Sequence, residues 1–276
     1  MTDLLKRSVS GCLYVVIMLA GVLLHPYVFV VVFALLLFFS QREFYMLMEK
    51  AGYAPQKYTG LITGALLFFI CFGMVEGVVP QNAYLIFLPA LIFLFLFEIF
   101  RDNPKVIQGS AVTITGILYV AVPFCLMNFI IFPAYPGGNP VFTPGILTGI
   151  FLVVWVYDSM AYLGGSLFGK HKIHEKISPQ KSWEGFISGT VFALVMGALN
   201  AVIFQSPGLF NWLAMAFLTV IFGTLGDLFE SKIKRKLKVK DSGSVLPGHG
   251  GLLDRFDSLL FVIPVIFVWL TFFGNF

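Results

Sequence analysis

Charge is what this sequence has least of. Asp, Glu, Lys and Arg make up 12% of 276 residues, while 58% are hydrophobic and the mean hydropathy is +0.91. Soluble globular domains carry about a quarter charged residues, so that class is excluded. Cysteine is scarce as well. Cys12, Cys71 and Cys125 are odd in number, lie inside apolar runs and form no CxxC or Cys/His spacing. A disulfide framework and a zinc site are therefore not expected, and the three read as small buried hydrophobes. Internal repeats and low-complexity tracts are absent apart from the apolar bias. Lys6 and Arg7 precede an apolar run as in a signal peptide, yet no Ala-x-Ala-like site separates it from the next run, so a retained first helix is expected.

What is present is a series of apolar runs long enough to cross a bilayer as helices, which makes the fold class all-α and polytopic. Nine spans are predicted, at about 10–24, 27–40, 58–77, 82–100, 108–132, 145–168, 183–204, 209–232 and 253–273. The second is expected to continue as a surface segment, Gln41 to Glu49, and Pro123 is expected to kink the fifth. With the N-terminus placed in the cytoplasm, all 18 Lys and Arg fall in the tail and the connections after spans 2, 4, 6 and 8, and none on the opposite side. A wrong span count would scramble that alternation, so the positive-inside rule predicts N-terminus in and C-terminus out. One membrane domain is expected over 1–276. Within it, residues 1–132 form supporting or dimer-forming helices, and 143–276 form catalytic helices with their site at the cytoplasmic face.

The little charge there is concentrates. Between Ser231 and Ser258 stand seven basic residues, three Asp, one His and four Gly. Cations suit phosphate oxygens, carboxylates suit Mg²⁺, and glycines let backbone N–H groups approach an anion. Asp227, Glu230, Ser231 and Lys234 follow i, i+3, i+4, i+7 spacing and share one face of the eighth span, while Asp254, Asp257 and Ser258 repeat that logic on the ninth. Carboxylates near hydrocarbon cost on the order of a few kcal/mol each unless compensated. A divalent cation would offset that cost, and so would plain salt bridges to Lys234, Arg235 and Arg255. Asp158, inside the sixth span, is a functional candidate for its depth, against a bland alternative of helix packing. His249-Gly250-Gly251 forms a tight loop ahead of the last span, suited to phosphate through its N–H groups and the imidazole. Trp183 reads as an interfacial anchor, His171 and His174 as surface residues, and Glu98 with Arg101 as a local pair.

From Ser231 to Asp257 the chain resembles the CTP:phosphatidate cytidylyltransferases (CDP-diacylglycerol synthases). Their pattern runs Ser, any, apolar, Lys-Arg, four of any, Lys-Asp, then a small residue, Pro, His-Gly-Gly and Asp-Arg-apolar-Asp, and every fixed position is met here. The likeness extends upstream to Asp158-Ser159-x-Ala161-Tyr162-x-Gly164-Gly165 and to Ser178-Pro179-Gln180-Lys181-Ser182-Trp183-Glu184-Gly185, where Gln180 and Ser182 depart mildly. By motif it covers about the C-terminal half.

The resemblance implies that CTP and phosphatidate give CDP-diacylglycerol and pyrophosphate, for phospholipid biosynthesis. It implies Mg²⁺ on Asp227, Asp254 and Asp257, with Glu230 and Asp241 as weaker candidates, and K⁺ as a second cation. Lys234, Arg235, Lys240, Arg255 and Lys181 would hold the phosphates, together with Ser231, Gly250, Gly251 and Asp158, and His249 would assist the leaving group. It further implies a homodimer in the plasma (inner) membrane, with no nucleic-acid partner. A CTP-dependent lipid kinase, or a transporter coupling ions through Asp158 and Asp227, would use parts of the same chemistry.

Overall fold

The computed structural model describes residues 3–101, 105–133, 140–239, 241–243 and 250–274, with the backbone alone for 3–10. The chain runs α1 (Asp3–Leu23), α2 (Pro26–Lys50), α3 (Lys57–Val75), a 3₁₀ turn (Gln81–Ile86) leading into α4 (Phe87–Ile99), α5 (Val106–Gly116), a π-helical turn (Ile117–Ala121) and α6 (Val122–Ile131). It continues as α7 (Pro144–Phe168), the hairpin β1 (Lys172–His174) and β2 (Ser178–Ser182), α8 (Trp183–Phe204), α9 (Leu209–Lys236) and α10 (Leu253–Phe273). Among the described residues eight helical stretches are long and apolar enough to cross a membrane, and Gly11–Leu23 is a shorter apolar helix. This is an all-α polytopic membrane protein. Helices satisfy their own backbone hydrogen bonds, which hydrocarbon cannot do for them.

Local chemistry sets several boundaries. His25 ends the first helix and caps the second: its Nδ1 accepts from Tyr27 N at 3.3 Å, and Pro26 stands in the first turn, where a missing N–H costs nothing. Pro123 stands at a change of helix type. Having no N–H to bond four residues back, and a ring that crowds that carbonyl, it follows directly on the wider π turn Ile117–Ala121. Ser182 caps α8, its Oγ accepting from Gly185 N at 3.2 Å.

The segment Gln41 to Glu49 departs from expectation. It is the uninterrupted C-terminal part of α2, and Gln41, Glu43, Phe44, Tyr45, Leu47 and Met48 are buried. Its polar groups find internal partners. Gln41 Nε2 donates to Gly60 O at 3.0 Å, and Tyr45 OH to Thr113 O at 2.9 Å, tying α2 to α3 and α5. Cys12 also differs from expectation: it is exposed on the helix surface, while Cys125 is buried and Cys71 half-buried. A core of packed aromatics, including stacked Phe29–Phe33 at 4.6 Å and tilted Phe124–Phe256 at 5.0 Å, joins the early helices to the last.

The hairpin was not anticipated from the sequence. The link between α7 and α8 pairs Lys172 with Ser182 and His174 with Ser178, antiparallel. Glu184 holds it from the first turn of α8, accepting from Lys170 N at 3.1 Å and meeting His171 Nδ1 at 2.6 Å. His171 is therefore exposed but engaged.

Candidate functional site

The site forms where α9 and α10 come together. Gly226 permits the approach, because a Cβ there would stand 2.5 Å from the Asp257 carbonyl oxygen. The crossing brings the polar faces of the two helices onto one another. Lys234 Nζ lies 2.7 Å from Asp254 Oδ1 and 3.4 Å from Glu230 Oε2. One turn earlier, Ser231 Oγ donates to Asp227 Oδ1 at 3.1 Å, and Lys181 Nζ, from β2, reaches Asp227 Oδ2 at 2.5 Å. Asp254 also accepts from Ser242 N at 3.0 Å and Gly251 N at 2.9 Å, and Asp257 Oδ1 accepts from Ser258 N at 2.6 Å.

Most of the site residues named from sequence meet here, with some in other roles than expected. Arg235 turns away and donates from Nε to Ile177 O at 3.3 Å, bracing the hairpin. Gly250 adopts φ +81°, a backbone state that favours glycine, and a Cβ there would lie 3.0 Å from Asp254 Oδ2 and 3.3 Å from Asp241 Oδ1. The Gly251 N–H points at Asp254 and so is not left open for a phosphate. Lys240 and His249 lie outside the described residues. The salt bridges weighed as the plain alternative are present for Lys234, and Lys181 adds one that sequence reading did not anticipate.

Among the described residues Asp158 makes no hydrogen bond to this cluster. It lines a neighbouring cavity of about 410 Å³ with Gly11, Tyr14, Val15, Trp155, Ser159 and Arg255. The cavity has a polar wall, Asp158 and Arg255, and an aromatic one, Tyr14 and Trp155. Tyr157 OH meets Thr224 Oγ1 at 2.5 Å and fixes α7 against α9 behind it. Sequence reading missed the α1 side of this cavity. Trp155 was recoverable, since it precedes Asp158 by three residues and shares its helix face.

The donor set suits a hard divalent cation: four carboxylates, from Asp227, Glu230, Asp254 and Asp257, on two adjoining helix ends. Glu230 supplies the structural sign. It is fully buried, and among the described residues neither of its carboxylate oxygens accepts a hydrogen bond, while Lys234 is an ion-pair neighbour. Such orphaned buried oxygens are costly without a cation. As they stand, the carboxylates are engaged by ammonium groups and amides, and among the described residues no three Asp, Glu, His or Cys are gathered as a ready-made metal cluster.

Comparison with known proteins shows which family the chain is similar to. The cytidylyltransferase family profile matches residues 5–273. A phosphatidate cytidylyltransferase of Bacillus subtilis is 48% identical over 132 residues, covering 46% of this chain and 49% of that protein. The Staphylococcus saprophyticus protein of the same name is 49% identical over 118 residues, covering 42% and 45%. That of Staphylococcus haemolyticus is 44% identical over 157 residues, covering 54% and 58%. The chain thus spans about half the length of the curated relatives it matches. With the family profile running almost from end to end, the chain belongs to the cytidylyltransferase family.

Proposed function

We propose that this protein transfers a cytidylyl group from CTP to phosphatidate, forming CDP-diacylglycerol and pyrophosphate in phospholipid biosynthesis. The observation that carries the reading is the meeting of Lys234 with Asp254 and Glu230 at the α9–α10 crossing, beside a cavity bearing Asp158 and Arg255. Family membership and the names of the relatives point the same way.

In the proposed reaction a phosphatidate oxygen attacks the α-phosphorus of CTP in line. A new P–O bond forms as the bond from that phosphorus to the α,β-bridging oxygen breaks, and pyrophosphate leaves with the electron pair. A phosphate monoester is already ionised at neutral pH, so no strong base is needed. What the site must supply is positive charge between two anions. Lys234, Lys181 and Arg255 would do so, and Lys240 and His249 are proposed beside them on the strength of the signature. The cavity's mixed lining suits a headgroup whose acyl chains stay in the bilayer.

Asp227, Asp254 and Asp257 would hold Mg²⁺, with Glu230, whose oxygens accept no hydrogen bond among the described residues, as a further candidate. When bound, it would supply positive charge that offsets the negative charge of the phosphates and of the leaving group. The proposed setting is the plasma (inner) membrane, as a homodimer with the site facing the cytoplasm.

The test is pyrophosphate release by the purified protein in detergent with Mg²⁺, CTP and phosphatidate. Release is expected with phosphatidate and not with diacylglycerol, and Asp254→Asn or Asp227→Asn should lower it by about 10²-fold or more. CDP formation from diacylglycerol, without pyrophosphate, would overturn the reading in favour of a lipid kinase.

A further inference from the structure

Glu43 lies in the N-terminal half, far in sequence from every motif, and is 3% exposed. Its Oε2 accepts from Leu253 N at 2.8 Å and faces Ser242 Oγ at 3.5 Å, contacts spanning 210 and 199 residues of chain. Leu253 is the first residue of α10, so the carboxylate sits at that helix's N-terminus, where free amides and the helix dipole favour negative charge.

Two signature glycines make room for it. A Cβ at Gly243 would overlap Glu43 Oε1. One at Gly251 would lie 2.6 Å from Glu43 Oε2 and would also overlap Ser242 Oγ. Asp254 grips the same residues from the other side, through Ser242 N and Gly251 N. Ser242 is thus held by its hydroxyl on Glu43 and by its amide on Asp254. Ser242, within the connection between α9 and α10, and Gly251 and Leu253, at its α10 end, are fastened by one carboxylate from α2 and one from α10.

We propose that Glu43 is a positioning residue for the site: it fixes the start of α10, and so the direction in which Asp254 and Asp257 project toward Lys234 and Glu230. This rests on the cytidylyl-transfer reading. Among the described residues Glu43 Oε1 is buried without a hydrogen bond, a cost that a positioning role would offset. Errors of about 1 Å in the placement of reacting groups can cost on the order of 10²-fold in rate.

The test compares Glu43→Gln, Glu43→Ala and Glu43→Asp in the full-length protein. Gln keeps the size and one acceptor oxygen but removes the charge. Turnover is expected to fall roughly 10- to 100-fold in the Ala variant and less in Gln, with Asp recovering part of it, and with the KM for CTP changed by less than about 3-fold. Hydrogen exchange of a peptide covering residues 250–256 should quicken in the Ala and Gln variants, while helix content and the melting midpoint of the Gln variant stay near wild type. Turnover within about 2-fold of wild type in both variants, or a loss matching the unfolded fraction, would overturn the proposal, as would unchanged exchange. A wild-type protein without pyrophosphate release would instead sink the transfer reading, and the exchange measurement alone would then decide whether Glu43 holds the helix start.

Discussion

Two lysines in the site make ion pairs of similar length whose consequences should differ. Lys234 is 14% exposed, between Asp254 and a Glu230 that is 1% exposed, whereas Lys181 and Asp227 are 25% and 29% exposed. Removing one partner of a buried pair leaves uncompensated charge, which costs about 3–5 kcal/mol, while half-solvated pairs contribute at most about 1 kcal/mol. Lys234→Met should therefore lower the melting midpoint in detergent and abolish turnover, and adding Glu230→Gln should restore stability without activity. Lys181→Met should leave the midpoint nearly unchanged and raise the KM for CTP by about 10-fold, as expected for a lost phosphate contact. Equal losses of stability in the two single variants would mean that both lysines are structural.

At the scale of elements, the site depends on how closely α9 lies against α10. Gly226→Val would set a branched side chain against the Asp257 carbonyl, which cannot move without its helix. Turnover should drop about 10²-fold while the circular dichroism of the helices persists; undiminished turnover would show that the crossing is not what aligns the carboxylates. This crossing was partly legible in the sequence. The i, i+3, i+4, i+7 spacing put Asp227, Glu230, Ser231 and Lys234 on one face, and the bounds of α8 and α10 coincide with the apolar runs at 183–204 and 253–273. The end of α2 was not legible. Hydropathy drops at Gln41-Arg42-Glu43, and what buries Gln41 and Glu43 is a carbonyl in α3 and an amide 210 residues away. The hairpin was missed for a related reason: its strands of three and five residues are short, one contains Pro179, and Glu184 outside them holds the start of the link. Local periodicity reports a face, not the partner that covers it.

At the scale of the whole molecule, the distribution of charge makes a prediction about the membrane. Among the described residues eight long apolar helices and the shorter Gly11–Leu23 provide up to nine crossings, and an odd number would place the two termini on opposite sides. Every Lys and Arg can be assigned to one side of such an arrangement, the side of the α7–α8 hairpin and of the α9–α10 connection. Basic residues are retained on the cytoplasmic side, so that face should hold the site and meet soluble nucleotide there. In a background with Cys12, Cys71 and Cys125 replaced by alanine, Lys176→Cys at the exposed hairpin turn and Val78→Cys at the exposed end of α3 offer two probes of opposite sides. A membrane-impermeant maleimide should label Val78→Cys in intact spheroplasts and Lys176→Cys only in inverted vesicles. The reverse pattern would invert the protein and put the site away from CTP. Labelling of both from one side would mean that the helices between them do not all cross, and the charge alternation would lose its physical basis.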